Sequence, residues 1–421
     1  MKRKVLVFAS MAAATLLACG AVWAQAPTIP QGGDPDPYIV VLKGGVDNPA
    51  ALAHRILQQA IPQNVFQQAT PQGVVRREPG LDAVGLDNMG FVYTDALEGF
   101  SAEIPDGSLA EVRANPNVAY VEPDRLVTVA ARGRARQTLP WGINRVDADS
   151  SSTKAGDGRG AVSNVNAYII DTGIYAHRDL NLVNQVDFTG DGKNYDCEGH
   201  GTHVAGTAAA KDDRRNVVGA APGAPLTGVK VLGCDGTGRA SDVIKGIDWV
   251  TKNAVKPAVA NISISGPASR ALDDAVKNSA ASGIFYSIAA GNQGADACDH
   301  SPARAGAGTD NGIMTVGETT RRSDQEASSS NYGSCVDVWA PGENILSTRM
   351  GGGTTTMSGT SMAAAHVGGG AALYFSSHTS ATPSTVEGTL EDAAKTPAKK
   401  RKAGMTSMDG RRILFENVGR F

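Results

Sequence analysis

Charge of one sign is what this sequence most clearly lacks: 39 Lys and Arg stand against 42 Asp and Glu, a formal net charge of -3. That balance gives no electrostatic reason to expect a nucleic acid or an anionic membrane as partner. Cysteine is scarce as well. The 5 present never fall in C-x-x-C spacing, which argues against a structural zinc site. Past the N-terminal segment, no apolar run reaches the roughly 18 residues that a membrane-spanning helix needs.

Glycine, by contrast, is plentiful. The 50 glycines in 421 residues are scattered among short apolar runs without a period, which suits many tight turns and close backbone approaches in an enzyme-like domain. The first residues place Lys2, Arg3 and Lys4 before an apolar stretch and then small residues, the pattern of a secretory signal peptide cleaved after Ala24. "LLAC", ending at Cys19, is a rival lipoprotein-like site. Removing the signal leaves Cys197, Cys234, Cys298 and Cys335. An even number in an exported protein suggests two disulfides, and spacing alone leaves the three possible pairings open.

Two textures divide the rest. Residues 38 to 127 read as strand, helix, two strands, helix, strand, from "YIVVLK" through "ALAHRILQQAI" and "GFVYTDALEGFSAEI" to "VAYVEPD", a small α+β domain. A basic, aperiodic linker follows between Val129 and Pro140 and is open to proteolysis. From Trp141 onward, "AYIID", "LTGVKVL", "AVANISIS", "GIFYSIAAG" and "GIMTVG" are apolar without alternation. Strands buried on both faces read this way, so an α/β domain with a mostly parallel sheet flanked by helices is expected. Function in such sheets gathers at the carboxyl ends of strands, where Asp171 and Asn292 follow apolar runs.

Three segments carry chemistry: "IIDTG" with Asp171, "GHGTHVAGT" with His203, and "GTSMA" with Ser361. A serine hydroxyl is a poor nucleophile until a base takes its proton, and an imidazole base needs a carboxylate to fix its tautomer. The two histidines of "HGTH" could also suggest a metal, but no third ligand lies nearby in the sequence. Taken with "AAGNQG", these blocks resemble the signature segments of the subtilisin family, in that family's order, across nearly all of residues 137 to 421. "GVKVLGCDGTG", "NYGSCVDVWAPGENILST" and "PWGINRVD" are similar to the proteinase K branch. The preceding domain, ferredoxin-like in its element order, resembles that family's inhibitory propeptide.

The resemblance implies a secreted serine endopeptidase with three segments: a signal peptide over 1–24, a propeptide over 25–135 and a peptidase domain over 136–421. It implies that Asp171 orients His203, that His203 is the general base and that Ser361 attacks the peptide carbonyl. His200 is left as a structural hydrogen-bonder, and His366 lies off the Ser361 face of its helix. Asn292 and the Ser361 N–H are the implied oxyanion donors. Gly236 and Gly238 on one edge, and Ser263, Ile264 and Ser265 on the other, with Gly291 at the pocket, are expected to hold a peptide as an added strand. Ser265 stands where relatives carry glycine and Ala240 where they often carry tyrosine, so small to medium apolar side chains are expected before the scissile bond.

The resemblance further implies the pairings Cys197 with Cys234 and Cys298 with Cys335. It also implies a structural calcium ion held by Asp337 and main-chain carbonyls near Asn311 and Ile313. Asp187, Asp191 and Asp196 are a second candidate oxygen cluster. Self-cleavage is expected between Gly133 and Gln137, with the severed propeptide retained as an inhibitor. The expected partners are protein or peptide substrates and this propeptide, and the mature enzyme is expected to be a monomer. Two rivals are a catalytically inactive binding protein of the same fold and an α/β-hydrolase esterase. The second is opposed by the order of acid, histidine and serine and by the absence of G-x-S-x-G around Ser361.

Overall fold

The computed structural model describes residues 36–61, 89–129, 132–133, 140–213, 215–308, 310–395, 418–419 and 421. The signal peptide expected over 1–24, Cys19 and the stretch 134–137 of the expected cut lie outside them. In the N-terminal domain β1 (Asp36–Leu42), α1 (Pro49–Ala60), β2 (Met89–Tyr93), β3 (Gly99–Ile104), α2 (Asp106–Ala114) and β4 (Val118–Pro123) follow the expected order. The four strands form one sheet in the order β2-β3-β1-β4, antiparallel throughout. Its apolar face closes on α1 through Leu52, Ile56 and Leu57, which share a core with Val40, Phe100 and Ile104. Asn48 caps that helix by accepting from the Ala51 N–H.

Two short strands follow, β5 (Leu126–Val129) and β6 (Arg132–Gly133), and then a short helix, α3 (Trp141–Arg145). The C-terminal domain contains β7 (Asn166–Asp171), β8 (Leu182–Asp187), α4 (His200–Ala209), β9 (Leu226–Lys230), β10 (Thr237–Arg239), α5 (Ala240–Asn253), β11 (Ala258–Ile262) and β12 (Ile264–Pro267). It continues with α6 (Arg270–Ala281), β13 (Phe285–Ala289), β14 (His300–Ser301), β15 (Ile313–Thr319), β16 (Val338–Pro341), β17 (Ile345–Thr348), β18 (Thr354–Ser358), α7 (Thr360–Ser377) and α8 (Pro383–Lys395). Seven strands make the main sheet in the order β16-β15-β13-β11-β7-β9-β8, and every pairing in it is parallel.

Strand β7 shows why the apolar runs do not alternate. Ala167 and Ile169 enter the core shared with α4 and α7, whereas Tyr168 and Ile170 enter the core shared with α5 and α6 on the opposite face. Both faces are covered, so neither set can be polar. Helix α7 lies against α4 so closely that a Cβ on Gly369 would meet the Ala208 carbonyl at 2.7 Å. A glycine inside a helix costs about 1 kcal/mol, and here it permits the approach that brings the starts of both helices to the carboxyl end of β7.

The N-terminal domain packs on this second face. Ile39, Val41, Tyr93 and Leu97 join the core of α5 and α6, and its carboxylates meet the first turns of those helices. Asp124 accepts from the Ser241 N–H at 2.9 Å, and Glu122 accepts from the Ala271 N–H at 3.2 Å, where helix N-termini favour negative charge. In return Asp248 of α5 accepts from the backbone N–H groups of Thr94, Asp95 and Ala96.

Candidate active site

Asp171 ends β7 in the middle of the sheet and is fully buried. Its Oδ1 accepts from the Thr172 N–H at 2.7 Å, and its two oxygens lie 2.7 and 2.9 Å from His200 Nδ1. His200 opens α4 directly after Gly199, whose φ of 112° suits glycine. Gly201 completes the approach, since a Cβ there would sit 2.1 Å from the Gly173 carbonyl.

The contacts expected of the two histidines are therefore exchanged. His203 does not meet Asp171. One turn further along α4, its Nε2–H donates to the carbonyls of Ile345 at 2.9 Å and Thr355 at 3.2 Å. Burial first, then the nearby charge of His200, pushes its pKa down to about 3, so it stays neutral and ties α4 to β17 and β18. Burial also acts to lower the pKa of His200, but attraction and hydrogen bonding to Asp171 outweigh it and raise the value above 6.5. Its Nε2 is buried without a hydrogen-bond partner. This leaves one ring nitrogen unpartnered, with the tautomer fixed from the other side of the ring.

Ser361 is the second residue of α7, behind Gly359 with φ 148° and ψ 168°, a backbone region reserved in practice for glycine. Its Oγ lies 3.4 Å from the Ser263 carbonyl, and Ser263 Oγ, itself receiving a bond from Asn261 Nδ2, donates to the Ser361 carbonyl at 3.1 Å. Asn292 is held at its Oδ1 by the N–H and hydroxyl of Thr360, at 3.0 and 2.9 Å. That fixes the amide orientation, with the oxygen toward Thr360 and the NH₂ as the donor end.

Several residues that were not expected in the catalytic arrangement hold it together. Asp196 is buried and accepts from Thr172 Oγ1, the Gly199 N–H and the Thr202 N–H at 2.8 to 2.9 Å, so it joins the Asp171 loop to the start of α4. Asn331 donates to the Ala290 carbonyl and accepts from the Gln293 and Ala295 N–H groups, which sets the loop carrying Gly291 and Asn292. Thr172 and Thr360 lie within the quoted motifs and Asn331 opens "NYGSCVDVWAPGENILST", whereas Asp196 was expected only as one member of an acidic cluster.

The expected peptide edges flank a slot filled by the chain itself. β5 lies between β10 and β12, antiparallel to both, with Gly238 opposite Val127, Ile264 opposite Val129 and Ser265 opposite Thr128. Gly236, at φ 76°, turns the chain just before β10. Ser265 is buried and its Oγ has no partner. A Cβ on Gly291, at φ 105°, would come within 2.7 Å of that hydroxyl.

Both disulfides are present in the expected pairing, Cys197–Cys234 and Cys298–Cys335, with Cα separations of 5.0 and 5.3 Å. The second acidic cluster does not assemble as a cation site. Asp196 is committed as above, Asp187 accepts from Thr189, and Asp191 lies 3.4 Å from the buried ammonium of Lys230. Among the described residues Asp191 is grouped closely only with Cys197 and Cys234, whose sulfurs are joined in a disulfide. Asp337 and Asn311 both reach the Gly306 turn. Asp337 Oδ2 accepts from the Thr315 N–H at 2.6 Å, Asn311 Nδ2 donates to the Gly306 carbonyl, and a Cβ on Gly306 would crowd Asp337 Oδ2 at 3.1 Å. Ile313 opens β15 beside them, its N–H held by Asn311 Oδ1.

Residues 163–410 match the subtilase family, and residues 37–130 match the I9 peptidase inhibitor family. An extracellular serine proteinase of Thermus sp. (strain Rt41A) is 42% identical over 391 residues, covering 89% of this chain and 88% of that protein. Alkaline serine exoprotease A of Vibrio alginolyticus is 42% identical over 334 residues, covering 76% of this chain and 59% of that protein. The crystal structure of a cold-adapted subtilisin-like serine proteinase superposes with a TM-score of 0.55 at 39% identity, over 66% of this chain and 97% of that one. The chain thus belongs to the subtilase family of serine endopeptidases, its peptidase domain preceded by an I9 inhibitor domain.

Proposed function

We propose that this endopeptidase is made as an exported precursor and works through Asp171, His200 and Ser361. The single observation that carries the assignment is His200 Nδ1 against the Asp171 carboxylate with Nε2 left without a partner. Asp171 holds the Nδ1–H tautomer and stabilises the imidazolium. His200 Nε2 takes the Ser361 proton as Oγ bonds to the substrate carbonyl carbon, then returns it to the leaving amine. Water hydrolyses the ester with the same base. Asn292 Nδ2 and the Ser361 N–H receive the oxyanion, and the first turn of α7 adds partial positive charge.

Export is supported by the extracellular description of the Thermus relative and by the signal-like N-terminus, and no helix among the described residues is long and apolar enough to cross a membrane. The I9 domain serves as inhibitor and is severed in the linker, and the mature enzyme is a monomer acting on protein or peptide substrates. Asp337, with main-chain carbonyls near Asn311 and Ile313, would hold a calcium ion. The fit rests on the turn at Gly306, where a side chain would crowd the carboxylate and where a hard cation would find oxygen donors. Labelling with a fluorophosphonate tests the triad: wild type and His203→Ala should react, whereas Ser361→Ala and His200→Ala should not. A His200→Ala protein that labels at the wild-type rate would remove His200 from the mechanism.

A further inference from the structure

We infer that the bond broken in self-processing is Ala130–Ala131, upstream of the Gly133 to Gln137 stretch suggested by the sequence alone. The inference rests on Ser361 being the nucleophile. β5 approaches it on one side, with Val129 opposite Ile264 and Thr128 opposite Ser265. That pairing runs from Ser265 through Ile264 toward Ser263, whose carbonyl is 3.4 Å from Ser361 Oγ. On the other side β6 pairs with β18, Arg132 opposite Ser358 and Gly133 opposite Met357. Ser358 is joined to the start of α7 through Gly359.

The chain thus enters along one wall of the site and leaves along another. Between the last residue of β5 and the first of β6 it contains only Ala130 and Ala131. Gly133 is already paired on the exit side, so a bond beyond it lies past the nucleophile in this register. The residue types agree with this placement. Ser265 keeps a buried side chain on the wall of this cleft, and both residues of the two-residue segment are alanine, the smallest side chain.

In the cut, Ser361 Oγ bonds to the Ala130 carbonyl carbon and the C–N bond to Ala131 breaks. His200 passes the serine proton to the departing amine. Water then hydrolyses the ester, leaving a carboxylate on Ala130 and a free amine on Ala131. β5 remains paired between β10 and β12 as a bound product, whereas β6, paired with β18, becomes part of a new N-terminal tail. A mature enzyme beginning near Gln137 would need a second cut in that tail.

The full precursor, refolded from denaturant and quenched at intervals, provides the test through intact mass and N-terminal sequencing. The first fragments should end at Ala130 and begin at Ala131, at a rate independent of protein concentration. Ala130→Glu should slow that first cut at least about tenfold, because the narrow pocket would have to bury a carboxylate, while Arg134→Ala leaves it unchanged. A first new N-terminus at 134 to 137, with no fragment beginning at Ala131, would overturn the register while leaving the triad intact. Refolded protein that neither cleaves nor labels with fluorophosphonate would overturn the nucleophile assignment and this inference with it.

Discussion

His200 Nδ1 faces both carboxylate oxygens of Asp171, at 2.7 and 2.9 Å, with the two side chains only 2% and 0% exposed. Three residues further along the same helix, His203 is equally buried but points at two carbonyls. Within one turn the two rings therefore meet a carboxylate and a pair of carbonyls, and the proposed mechanism predicts different costs for losing each. His200→Ala is expected to lower kcat by about 10⁶-fold, a magnitude taken from a subtilisin. His203→Ala should retain turnover within about tenfold and lose about 1–3 kcal/mol of stability, because two buried carbonyls lose their donor. Peptide anilide kinetics and denaturant unfolding of the two variants read these effects separately.

The pH profile follows from the same contact. With His200 as the proposed base, hydrolysis needs its neutral form; burial acts to lower the pKa of this group, but Asp171 outweighs it and raises the value above the ordinary imidazole range. Activity should therefore be lost as pH falls through a value above that of an ordinary imidazole and be fully present on the alkaline side. Asp171→Asn should move that acid limb downward and cut kcat by about 10⁴-fold, again a subtilisin magnitude. An acid limb of kcat/KM that stays in place in Asp171→Asn would show that the carboxylate does not set the charge on His200.

Much of this was legible from sequence, with an uneven physical basis. The five apolar runs are the five inner strands, because burial on both faces leaves a continuous signal. The edge strands gave none: β8 carries Asn184 and Gln185 and is partly exposed, and β16 has four residues. The motif "HGTH" located the base to one helical turn but could not choose within it. Which histidine meets Asp171 depends on where α4 begins, and that is set by Gly199 together with Asp196, a buried acceptor that looks in sequence like one more acidic loop residue. The disulfide pairing came from resemblance and could not have come from spacing, since both bridges span 37 residues.

Calcium dependence should appear in stability before activity. An ion bound only by the folded protein stabilises it by mass action, so chelation should lower the Tm of the processed enzyme. Asp337→Ala should start lower and respond less, because the carboxylate that reaches the Gly306 turn is gone. A wild-type Tm indifferent to chelator and to added calcium would exclude the site.

Pocket width offers a separate test, one that depends on Ser265 alone. Its hydroxyl is buried without a partner, and the facing backbone at Gly291 has no room for even a Cβ, which would lie 2.7 Å from Ser265 Oγ and 2.4 Å from Asn331 Nδ2. Ser265→Gly removes the side chain from that wall and leaves no polar atom stranded, so the fold should tolerate it. The ratio of kcat/KM for anilides with Phe against Ala before the scissile bond should rise by about tenfold or more, within the range that one or two buried carbons decide in an apolar pocket. The gain should fall mainly in the Phe substrate, since alanine already fits. If both substrates respond equally, Ser265 acts on the backbone edge of the cleft and the narrowing must come from elsewhere.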